Sequence, residues 1–138
     1  MRKKVKKLKQ IPSIISNTKV PIRVLYKKVG QIPEVKIISD VYKLKKAIVQ
    51  RNLDIISYEK LFIVCHNKKT NSHMPPNIFL PFNRVVGDFI VVDIDRKKRE
   101  FKSLSQEDII WYSEDLINKA PPNTTMVSRD KKLTKVTD

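Results

Sequence analysis

Glycine, cysteine and acid are all scarce in this chain of 138 residues. Gly30 and Gly87 are its only glycines. That excludes a glycine-rich phosphate loop of either the P-loop or the dinucleotide type, which need several glycines where backbone meets phosphate. The lone Cys65 excludes an internal disulfide framework and fits a reducing compartment. No stretch approaches the roughly 18 consecutive apolar residues of a membrane-spanning helix. No apolar segment follows the basic start as in a secretory signal, and its lysines lack the Arg- and Ser-rich pattern of an organelle leader. No acid precedes Glu34, and Lys and Arg number 29 against 14 Asp and Glu, a formal net charge of +15. The expectation is a soluble cytoplasmic protein of one domain, long enough to bury a core and attracted to anions.

The charge is unevenly spread. The first ten residues, MRKKVKKLKQ, carry +6 with no acid, and the last ten carry +2. Residues 1–18 read as a basic arm and residues 121–138 as a polar, disordered tail. Arg2, Lys3, Lys4, Lys6 and Lys7 can neutralise phosphates by counterion release, without fixed geometry. A solvated solubility tail explains the same residues.

Residues 19–120 read as the domain. Segment 20–28 (VPIRVLYKK) is β-branched and roughly alternating, and segment 33–38 pairs with it across a turn at 29–32. Asp40 or Ser39 caps an amphipathic helix over 40–51, with Val41, Leu44, Ala47 and Ile48 inward and Lys43, Lys45, Lys46 and Arg51 outward. Strands follow at 53–57, 61–66, 78–80, 88–95 and 100–102, with a polar loop at 67–77. LFIVCH at 61–66 is apolar enough to be covered on both faces. Ser105 starts a second helix, acidic in its first turn and striped by Ile109, Tyr112, Leu116 and Ala120, which stops before Pro121-Pro122. The fold class is α+β: one mainly antiparallel sheet with two amphipathic helices.

Motifs with chemical potential are few. Cys65, His66 and His73 match no zinc spacing and lack a fourth ligand, so the reading is a buried thiol and two ordinary histidines, with no metal. A cysteine in so apolar a run is an inert core residue rather than a thiolate. Asp93 and Asp95 share one strand face and mark a strand end. No catalytic group and no cofactor is expected. The most specific stretch is residues 78–87, IFLPFNRVVG. There Phe82 can stack a base, Asn83 read an edge and Arg84 grip a phosphate. Core phenylalanines beside a capped turn explain the same residues.

The order of these pieces resembles the phage-associated DUF3846 family. The resemblance runs from Arg23-Val24-Leu25 through Pro33-Glu34-Val35, Cys65-His66-Asn67, Pro81, Asn83-Arg84 and the Gly87 strand to Ser103-Leu104. The chain departs from that pattern at Gln50-Arg51-Asn52, where the family carries a paired glycine, and in a longer loop before Pro81. The plan is also similar to small phage Thoeris anti-defence sponges, α+β oligomers that sequester cyclic ADP-ribose-type signals. That similarity implies Asn67, Phe82, Asn83 and Arg84 as ligand contacts, with Gly87 as a backbone requirement. In a sponge reading, Lys68 or Lys69 would join Arg84 at the pyrophosphate.

Two functions therefore stand as expectations. One is a non-catalytic, homo-oligomeric phage-type protein that sequesters a small cyclic nucleotide through Asn67, Lys68, Phe82, Asn83 and Arg84. The other is an accessory protein that grips nucleic acid through its arm, its tail and the basic turn of Arg96, Lys97, Lys98 and Arg99.

Overall fold

The computed structural model describes residues 20–121 apart from Lys68, Ser72 and Phe82. The predicted arm, nearly all of the predicted tail, and the site residues Arg2, Lys3, Lys4, Lys6, Lys7, Lys68 and Phe82 lie outside the described residues.

The apolar run at 61–66 organises what is described. Strand β4 (Leu61–His66) directs Leu61, Ile63 and Cys65 into one core cluster and Phe62 and Val64 into another. A strand buried on both sides needs a layer on each. The remaining strands of its sheet are β1 (Ile22–Lys27), β2 (Glu34–Ile38), β3 (Leu53–Tyr58), β7 (Phe89–Asp95) and β8 (Glu100–Lys102). Their order is β2-β1-β7-β4-β3, with β8 pairing the far end of β7, and every pairing is antiparallel. Where β1 leaves β7, its start is tied to the chain after β8. Arg23 N–H donates to Ser103 Oγ at 2.8 Å and Leu104 N–H to Arg23 O at 3.0 Å.

Helix α1 (Val41–Val49) covers one face of the sheet. Asp40 caps it by accepting the Lys43 N–H at 3.0 Å, and Val41, Leu44 and Ile48 pack over Ile22, Val24, Phe62, Val64, Val92 and Ile94. The helix ends sooner than the predicted residue 51. Arg51 adopts φ +64°, its N–H bonds Ile48 O, and the Asn52 N–H bonds Ala47 O, so a left-handed residue closes the last turn.

Helix α2 (Gln106–Asn118) covers the other face together with a hairpin. Ser105 accepts the Asp108 N–H, and Ile109, Tyr112 and Leu116 are buried, as the stripe predicts. Ala120 lies beyond the helix. The hairpin is β5 (Pro76–Leu80) with β6 (Asn83–Val86), a separate two-stranded sheet that adds Ile78 and Val85 to the α2-side core. Its Phe79 N–H donates to Lys119 O, pinning it to the end of α2. The α+β class and antiparallel sheet are as expected. The predicted loop at 67–77 is shorter, since Pro76 and Asn77 belong to β5. Asn83 and Arg84 are strand residues, not turn caps.

Candidate functional site

The Asn83–Arg84 segment reaches a defined place. Asp54 and Cys65 are partners across β3 and β4, and β6 brings Asn83 and Arg84 against this pair beside His66. The resulting cleft holds only about 50 Å³. Gly87, at φ +71°, lets the His66 ring and Met74 close in, for a Cβ there would stand 2.9 Å from His66 Cδ2 and 2.8 Å from Met74 Sδ. Arg84 is exposed. Asn67 is not brought to the cleft's wall: its Oδ1 accepts the Lys69 N–H at 2.9 Å, and its carbonyl accepts from Asn71 Nδ2. It shapes the loop. Pockets that enclose small organic ligands run to roughly 300 Å³ and more. A nucleotide over Arg84 therefore needs a second surface to enclose it.

The cations gather on the α1 side. Tyr42, Lys46 and Val49 form an exposed stripe along α1 at i, i+4 and i+7, with Lys43 exposed beside it. Arg96 holds its guanidinium 5.2 Å above the ring of Phe62, a residue of the α1-side core. The turn that follows is organised by Asp95, whose Oδ1 accepts the N–H groups of Lys97 and Lys98 at 3.0 Å each. Those two amides hold the Asp95 carboxyl below the usual carboxylate range. Arg96, Lys97, Lys98 and Arg99 are thus all exposed on a fixed turn. Near the sheet edge Tyr26 is flanked by Lys36 and Lys28, whose Nζ atoms lie 4.7 and 5.9 Å from its ring centroid. Alternation along β1 places Tyr26 on the same side as Val24 and Ile22. This face combines cations with aromatic rings, the pairing that nucleic-acid surfaces use.

Helix α2 on the other face is acidic, with Lys119 just past its end paired to Asp115 at 2.8 Å and Arg84 exposed on the neighbouring hairpin. Residues 106–118 carry Glu107, Asp108, Glu114 and Asp115 and no base. Lys60 pairs with Asp108 at 3.1 Å and Lys102 with Asp93 at 3.7 Å. Burial raises the Asp93 pKa, Asp108 adds to the rise, and Lys102 opposes it. The two aspartates of that strand face therefore do different work, Asp93 in an ion-paired cluster and Asp95 in a turn.

Sequence reasoning missed one residue entirely. Lys27 is wholly buried, its Nζ donating to Asn77 Oδ1 at 2.8 Å and Lys28 O at 3.0 Å. Asn77 Nδ2 in turn donates to Lys27 O and Gly87 O, joining β1, β5 and the turn before β7. Nothing in the Lys27-Lys28 dipeptide distinguishes the buried cation from the exposed one. Among the described residues no three His, Cys, Asp or Glu side chains are grouped to hold a metal ion, and no helix is long and apolar enough to cross a membrane.

The family described as a domain of unknown function, DUF3846, matches residues 22–117. That span runs from the start of β1 to the last turn of α2, and so includes the sheet, both covering layers and the Asn83–Arg84 cleft. No curated protein and no solved structure matches the chain.

Proposed function

The chain belongs to the DUF3846 family, and from that premise we propose that it is a non-catalytic protein that binds the phosphate backbone of nucleic acid. The observation that carries the reading is the sorting of charge by face. Lys43 and Lys46 stand exposed on α1 and Arg96 stacks on Phe62 of the α1-side core, with Lys97, Lys98 and Arg99 exposed on the same turn, while the acids of α2 lie across the sheet. A polyanion is attracted to the first face and repelled by the second, so binding is oriented without a shaped pocket. Tyr42 offers a ring beside Lys43 and Lys46, and Tyr26 one between Lys28 and Lys36. Residues 1–10 add six further positive charges.

The test measures binding of single- and double-stranded DNA and RNA by fluorescence anisotropy across salt concentrations, with cyclic nucleotides in parallel. Lys43→Glu with Lys46→Glu should weaken binding to every sequence alike and lower the salt slope by about 2, since each phosphate contact contributes roughly 0.9. An unchanged slope rejects the α1 face. Tight, nearly salt-independent binding of one cyclic nucleotide, lost in Arg84→Ala, transfers the function to the Asn83–Arg84 cleft and to an assembly that encloses it.

A further inference from the structure

Among the described residues nothing covers the outer surface of α2, which is unusual for so basic a chain. Ile110 and Trp111 stand out from the helix, 62% and 54% exposed. They line an open groove of about 670 Å³, bounded by Glu59 and Lys60 of the β3–β4 turn and by Glu107 and Glu114 of the helix. The one cation on its wall among the described residues, Lys60, is already paired with Asp108. An apolar strip edged by acids selects a ligand that alternates aliphatic and cationic side chains.

This chain carries such a segment. MRKKVKKLKQ places Val5 and Leu8 three residues apart among six cations, with no acid. The residues after it meet the described domain at the right place. Val20, Pro21 and Ile22 lie against Lys102 and Ser103, just ahead of α2, whose first-turn Glu107 opens the groove. Residues 11–19 can span up to about 30 Å when extended, at roughly 3.3 Å per residue. The C-terminal residues are a poorer match, since the last ten pair four bases with two acids.

We propose that the groove of Ile110, Trp111, Glu107 and Glu114 takes the lysine-rich segment 1–10 of its own chain. Valine and leucine match the indole and the isoleucine in chemistry, and lysine matches the carboxylates and the indole face. The groove and a phosphate strand compete for the same lysines, so the arm occupies the groove in the protein without nucleic acid, and the test is made in its absence.

Trp111 is the chain's only tryptophan, so its fluorescence reports this groove alone. The experiment measures acrylamide quenching of Trp111 in the full chain, in a full chain carrying Lys3, Lys4, Lys6 and Lys7 all changed to Gln, and in Glu107→Gln with Glu114→Gln. At about 20 mM salt the unaltered chain should quench about twofold less than either variant. The difference should vanish near 1 M salt, where screening acts within about 3 Å. Equal quenching at low salt overturns the proposal. So does protection that grows with protein concentration, which assigns the groove to a second copy. Loss of protection in Lys131→Gln with Lys132→Gln and Lys135→Gln, but not in the arm variant, overturns it in favour of the C-terminal residues.

Discussion

Lys27 shows how far one side chain can depart from its sequence neighbours. Burial lowers its pKa from 10.5 to about 8, with the field of Asp88 opposing part of that fall. Between those two values the unfolded chain holds a proton that the folded chain has released. Unfolding then takes up a proton, and stability rises with pH. Tyr26, Tyr58 and Tyr112 act the other way above about pH 10. Burial raises all three, Tyr112 to about 12, so their contribution is complete below the ordinary tyrosine value and lost above it. The urea midpoint should therefore increase from about pH 7.5 to about pH 9.5. Lys27→Met should flatten that increase, and a slope that survives the substitution assigns it to another group. Gly87 is the second residue whose identity the fold dictates. Alanine there meets both the positive φ and the His66 ring, and Met74 alone can swing aside. Gly87→Ala should cost about 2 kcal/mol or more in denaturant unfolding, the left-handed conformation supplying roughly 1–2 of it.

At the scale of elements, α1 ends in a six-residue closure that ordinarily carries glycine. Arg51 occupies its left-handed position, with both closing hydrogen bonds at 3.0 Å. Arg51→Gly removes a Cβ from strained backbone and should raise stability by about 1 kcal/mol, seen as a higher thermal midpoint. A loss instead would mean the arginine side chain holds a contact worth more than the strain. The absence of glycine from Gln50-Arg51-Asn52 was visible in the sequence. That the backbone keeps the glycine conformation was not. The same boundary separates what else was legible. Strands β1, β4 and β7, both helices and their caps follow from periodicity and from Asp40 and Ser105, because those signals are local. The hairpin was half missed. Pro75-Pro76 reads as loop, and Asn83-Arg84 reads as a polar site, yet Ile78 and Val85 need burial and draw the segment into paired strands. Of the candidate site, Asn83 and Arg84 do meet His66 and Cys65, while Asn67 is used within its loop. The acidic groove was invisible because Glu59 and Glu107 lie on elements far apart in sequence.

Across the larger sheet, the two helices of the described residues carry charge of opposite sign. Charge of one sign on α1 and the β7–β8 turn, and of the other on α2, cannot be inferred from the net +15, which averages them. This arrangement separates the contribution of the domain to polyanion binding from that of the excess of lysine near the start of the chain. Removing residues 1–10 lowers the net charge from +15 to +9. If all six of those cations contact duplex phosphate, the salt slope should fall by about 5, and by about 3 if half do. Oriented binding by the α1 face predicts that a weaker, still salt-dependent affinity remains in the shortened protein. Adding Lys43→Glu and Lys46→Glu should abolish that remainder, whereas Glu107→Gln with Glu114→Gln should leave it within about twofold, since those groups face away from the bound strand. A shortened protein with no residual affinity would reduce the domain to a carrier of its arm. Residual affinity insensitive to the α1 lysines would move the interface to another face.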